Sequence, residues 1–100
     1  MILKWASLAG FWLILVVGAL VHRYAAGAVE IGAGYVAKEA CSCIFIAGRE
    51  LESCRQDMPE MMDSIEAEVL REERAVRAFS TGLGERIARY ATDGGGCTLY

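Results

Sequence analysis

Four cysteines are the residues of this chain best suited to chemistry. Three of them, Cys41, Cys43 and Cys54, fall within the sixteen residues of EACSCIFIAGRELESC, and Cys97 lies near the other end. A structural zinc site needs four nitrogen or sulfur ligands, usually in paired knuckles, and spacings of 2, 11 and 43 match no common finger or ribbon. A nucleophilic cysteine needs a base within hydrogen-bond reach, yet the one histidine, His22, sits at the end of a long apolar run. Dithiol redox work uses C-x-x-C, whereas Cys41 and Cys43 form C-x-C. The carboxylate pairs Glu50/Glu52 and Glu72/Glu73 lie in no apolar setting that would raise a pKa into a working range, and they read as surface. Ser7, Ser42, Ser53, Ser64 and Ser80 are each followed three places on by a residue other than lysine, so S-x-x-K is absent. Gly94 to Gly96 lacks the spacing of a phosphate-cradling loop. The sequence assigns no catalytic, cofactor-binding or metal-ligating residue and implies no cofactor.

Staples are the remaining use for these thiols. An even number of cysteines in a small domain behind an export signal is the pattern of disulfides formed outside the cytoplasm. Four cysteines allow three connectivities, and composition does not choose among them. If Cys41 and Cys43 share a helix they face different sides, which favours separate partners. The expected bridge is Cys41 to Cys97, because both ends of so small a domain must be tied down and a long loop gains most from closure. Gly94 to Gly96 would ease the approach beside Cys97. Cys43 and Cys54 form the second candidate pair, and the alternative for Cys41 is a buried free thiol.

The elements that must position these residues fall into two compositional regions. WASLAGFWLILVVGALV, residues 5–21, is uncharged, while all thirteen acidic residues lie at Glu30 or beyond. As a helix, the first stretch spans about 26 Å, and with Ile2, Leu3 and a snorkelling Lys4 it approaches the ~30 Å thickness of a bilayer's hydrocarbon. Residues 1–24 therefore read as a transmembrane helix. The alternative is a signal peptide cleaved after AGA at 26–28, but the run exceeds the usual hydrophobic core of such signals, and His22 and Arg23 intrude. Lys4 on one side and Arg23 on the other leave orientation to the cysteines, which place the remainder outside the cytoplasm. Beyond Arg23 the chain carries eight Lys/Arg against thirteen Asp/Glu. That surplus of negative charge opposes nucleic acid as a partner.

Residues 25–34, AAGAVEIGAG, read as a Gly/Ala linker. Residues 35–100 form the small disulfide-braced segment: a helix over 35–47 ended by Gly48, with a buried strand at its CIFIA end as the alternative, then a helical turn before Pro59. Over 61–79 the apolar residues fit both a 3.6 repeat and a period of two. LREER lacks the Gly, Asn or Asp of a tight hairpin, so composition alone leaves helix and strands level. ERIARYAT alternates, and DGGGCTLY runs from a turn into the start of a strand.

GYVAKEACSCIFIAGRELESC, followed by VLREERAVRA, ARY and GGGCTL, resembles the amino-terminal portion of bacterial β-lactamase-related serine hydrolases, the class C-like group that includes nylon-oligomer hydrolases. The likeness runs from about residue 34 to 99. It implies an export anchor, this lead segment, and then a penicillin-binding-protein-like catalytic domain. The S-x-x-K serine and lysine and the later tyrosine motif would lie beyond Tyr100, so no catalytic residue is carried over. Only Gly48, Arg49, Cys41 and Cys97 map onto positions of the family's blocks. The resemblance also implies a β-hairpin over 64–80, which decides the level reading, although Leu70 stands where such hairpins tend to carry Asp.

The resulting expectation is an α+β chain: an N-terminal transmembrane or signal-anchor helix, a short helical segment and a small antiparallel β meander forming an incomplete domain. Its expected role is the anchored leader of an exported β-lactamase-like serine hydrolase, without the catalytic domain. Its partners would be the lipid bilayer and a downstream catalytic domain, with no nucleic acid and no metal. The location implied is the bacterial inner membrane with the C-terminal part in the periplasm, or secretion if the signal is cleaved. The competing reading is a self-contained membrane-anchored interaction or scaffold domain of the cell envelope.

Overall fold

The computed structural model describes residues 2–100. One helix, α1 (Ile2–Cys41), runs on into a single π turn over Ser42–Ile46 and carries an apolar stretch long enough to cross a membrane. A short helix α2 (Leu51–Gln56) and a 3₁₀ turn (Glu60–Met62) lead into four strands: β1 (Glu66–Leu70), β2 (Ala75–Ser80), β3 (Gly84–Ala91) and β4 (Gly96–Leu99). All neighbours pair antiparallel in the order β1-β2-β3-β4, a simple meander. The class is α+β, as the sequence indicates.

The Gly/Ala segment 25–34 is not a linker. It continues α1 without a break, and the cause is visible in what it touches. Gly32, Ala33, Gly34, Val36, Ala37, Ala40 and Cys41 form the buried face that lies across the sheet. An added Cβ at Gly32 would come within 2.6 Å of Ile65 Cδ1, so the small residues permit close approach of helix to sheet. Glycine in a helix interior costs roughly 0.5–1 kcal/mol relative to alanine, and burial against the sheet offsets it. The helix expected over 35–47 is the far end of this same element.

Period two prevails after Ser64. Ala67, Val69, Val76, Ala78, Ala88, Tyr90, Cys97 and Leu99 face α1 and join its residues in one cluster centred on Val36, Val76 and Cys41. The opposite face is wet, and Glu68, Arg77 and Glu85 form an ion triad across β1, β2 and β3 on it. The β1–β2 hairpin closes without glycine: residues 71–73 make a 3₁₀ turn and Arg74 takes the left-handed conformation at φ 51°. The register then pairs Leu70 with Ala75.

Candidate functional site

The four cysteines gather at the end of the domain farthest along α1. Cys41 ends the α-helical part and points to β4, where its Cα lies 6.1 Å from that of Cys97, to which it is bonded. Two residues on, within the π turn, Cys43 points the other way and is bonded to Cys54 of α2 with Cα atoms 6.0 Å apart. Residues two apart on a helix point to nearly opposite sides, so one helix end serves two staples. Cys41 is fully buried, and it is not the free thiol of the alternative reading. Beside it, Phe45 stacks on Tyr90 of β3 with ring centroids 6.4 Å apart.

Gly48 and Arg49, the other two residues singled out by resemblance, build the turn between the π segment and α2. Gly48 takes φ +74°, a conformation that suits a residue without Cβ. The Arg49 backbone N–H then donates to the Cys43 carbonyl at 3.1 Å. The Arg49 guanidinium donates to the Ser53 hydroxyl at 2.7 Å, the Ser53 carbonyl at 3.0 Å and Asp57 Oδ2 at 2.7 Å. Arg49 is thus a clasp across α2. The recess beside it, lined by Tyr35, Glu39, Cys43, Arg49, Asp57 and Met58, holds about 120 Å³. That is room for about four waters, well under the ~300 Å³ at which small-molecule sites begin.

Among the described residues all four cysteines are bonded in pairs, so none is a free thiol. His22 lies nineteen positions before Cys41 on one helix, about 28 Å along the axis, too far to act as its base. Among the described residues no group of His, Cys, Asp and Glu is placed to hold a metal ion. The carboxylates of Glu50 and Glu73 face Arg71 and Arg89 at 3.7 and 3.8 Å on the surface. The hydrogen bond of Arg77 to Glu85 and that carboxylate's charge hold its pKa above the ordinary arginine value. Arg77 therefore stays protonated throughout the working pH range.

One residue that sequence reasoning passes over has a clear task. Arg55 donates to the carbonyls of Met62 at 3.2 Å and Ile65 at 2.7 Å, tying α2 to the entry of β1. Nothing in its neighbourhood marks it out among ten Lys/Arg residues, because its partners are backbone groups that any sequence supplies. No family model, curated protein or solved structure matches the chain.

Proposed function

We propose that this chain is the membrane-anchored, disulfide-braced leader segment of an exported β-lactamase-like serine hydrolase, with residues 1–24 in the bacterial inner membrane and the remainder in the periplasm. On this reading the segment anchors and positions, and hydrolysis belongs to a catalytic module joined beyond Tyr100. One observation carries the reading. The two blocks that bear the resemblance, GYVAKEACSCIFIAGR and GGGCTL, are far apart in sequence, yet they meet through Cys41 and Cys97, fifty-six positions apart. Gly48 and Arg49 stand in the same apex, so all four residues that map onto the family's positions belong to one structural unit. A disulfide pair inside a short domain also suits an oxidising compartment.

The competing reading, a self-contained interaction domain of the envelope, draws support from Ile31, 78% exposed on the helix face turned away from the sheet, with Tyr35 one turn above it. Expression of the gene with its natural downstream sequence separates the two. Hydrolysis of ester or amide substrates that disappears when the serine of a downstream S-x-x-K is replaced by alanine favours the leader. A reading frame that closes at Tyr100, with no hydrolysis, favours the interaction domain.

A further inference from the structure

We infer that the membrane-facing rim of the sheet domain, carried by Met61 and the β2–β3 turn with Leu83, sits in the headgroup layer of the bilayer that holds α1. The inference rests on the anchored reading and adds a second, interfacial contact to it.

The basis is that α1 passes from its apolar stretch into the domain with no flexible joint. A continuous helix fixes the height of everything packed on it. Taking Val21 as the last residue in hydrocarbon, Ala26 stands about 7.5 Å higher at 1.5 Å per residue. The headgroup layer of one leaflet is itself roughly 5–7 Å deep, so Ala26 lies near its outer edge.

Two parts of the domain lie at or just above this level. Gly84, at the start of β3, is packed beside the Ala26 carbonyl and Val29 Cγ1, which an added Cβ would meet at 3.9 and 4.0 Å. From there β3 climbs away from the membrane: Arg86 reaches Glu30, and Cys97, opposite Tyr90, reaches Cys41. The turn over 81–83, which precedes Gly84, must then project towards the lipid. The 3₁₀ turn Glu60–Met62 stands against Ala28, Val29 and Gly32, the lowest of which is about 10 Å above Val21, so Met61 meets the headgroups by reaching down along α1. Met61 there is 76% exposed, a large apolar side chain turned mostly away from the protein. Tyr24 on α1, also exposed, marks the same level, where aromatic residues with a polar tip favour the interface. Because these residues lie on the membrane side of the domain whichever way α1 crosses, the contact does not depend on topology.

The occupant of this rim is the headgroup layer, entered from its outer edge by apolar side chains. Charge does not drive it, since Glu60, Asp63 and Glu85 flank the rim and would repel anionic lipids.

Fluorescence in vesicles of equal parts phosphatidylethanolamine and phosphatidylglycerol tests the idea with the full chain. In a Trp5→Phe/Trp12→Phe background, tryptophan is placed singly as Met61→Trp, Leu83→Trp or, at the distal hairpin, Glu73→Trp. The first two should emit to the blue of Glu73→Trp and lose intensity to lipids carrying a quencher on the headgroup, while Glu73→Trp does not. The native tryptophans, read separately in the unaltered chain with acyl-chain quenchers, report the anchor. Quenched native tryptophans with Met61→Trp and Leu83→Trp behaving like Glu73→Trp would overturn the rim contact and leave the anchor intact. Unquenched native tryptophans would overturn both. Protection of Met61→Trp that grows with protein density and ignores the quencher would assign the rim to a second copy of the chain and also defeat the proposal.

Discussion

The two halves of α1 form one unbroken helix, yet they are built for different surroundings. From Ile2 to Tyr24 large apolar side chains are exposed on every side, with Trp5, Phe11, Trp12, Leu13, Ile14 and Leu20 all outward. From Ala25 to Cys41 the large residues give way to Gly, Ala and Val, and the face they form is buried on the sheet. A helix that is apolar all round has no preferred side and suits a solvent that is itself apolar. A helix packed on a sheet needs one smooth face on which the two can approach. Side-chain size along α1 therefore reports what surrounds it, where hydrophobicity alone does not.

The sharpest way to break this contrast is the same charge placed in each half. Val36→Asp would put a carboxylate where Val36 is fully buried with no polar partner, at a cost of at least about 4 kcal/mol. That is comparable with the whole stability of a domain this size, so residues 25–100 should lose resistance to protease while α1 still resists alkaline extraction from membranes. Leu15→Asp should do the reverse. It costs insertion roughly 3 kcal/mol and leaves the domain protease-resistant.

Next in size are the staples that close the packed half. Replacing Cys41 and Cys97 together by serine should lower unfolding free energy by about 4 kcal/mol, and replacing Cys43 and Cys54 by about 3 kcal/mol, on loop-closure entropy alone. Denaturant melts of residues 25–100 read the difference. The first pair joins α1 to β4, so its loss should loosen the whole sheet, and loss of the second should free only the turn and α2. Equal, global effects from both pairs would contradict this division.

The strand in ERIARYAT and the separate partners of Cys41 and Cys43 follow from local patterns, alternation and an offset of two, whereas composition left three connectivities open and the strands over 64–80 rested on the resemblance. Gly-rich composition over 25–34 signals flexibility in solution and close packing in contact, and only the partner surface, Ile65 and Leu99, decides between them. The hairpin at LREER stayed ambiguous because Arg74 supplies the left-handed residue that glycine or asparagine would have advertised. Arg49 could be noticed by resemblance, but its role as a clasp depends on Ser53 and Asp57, whose types carry no signal of it.

Glycine substitutions refine the contrast at smaller scale. Gly32→Ala gains about 1 kcal/mol of helix propensity but forces its Cβ against Ile65 Cδ1, and overpacking of a buried contact costs roughly 1–3 kcal/mol. A net loss of about 1 kcal/mol is expected. In an Ile65→Val background the clashing methyl is gone, so the same change should become neutral or stabilising. Gly18→Ala, with nothing within 4 Å, should leave domain stability unchanged.

The smallest effect concerns the one acidic residue of α1 close to the boundary between its halves. Glu30, about 61% exposed, faces Arg86 of β3 at 3.8 Å, a separation at which the pair is an ion contact more than a hydrogen bond. Arg86 also donates to the Tyr100 carbonyl at 3.2 Å, so its orientation does not depend on Glu30. An exposed pair of this kind is worth about 0.2–1 kcal/mol and weakens with salt. Glu30→Gln should therefore shift the denaturation midpoint slightly at low ionic strength and not measurably at 1 M salt, where the screening length falls to about 3 Å. Arg86→Met should cost more, because it also leaves the Tyr100 carbonyl without its side-chain donor. A double-mutant cycle isolates the pair itself. If the coupling between Glu30 and Arg86 exceeded about 1 kcal/mol and persisted at 1 M salt, the contact would have to be shielded from water. The lower half of the packed helix would then be less open to solvent than its exposed acidic residue indicates.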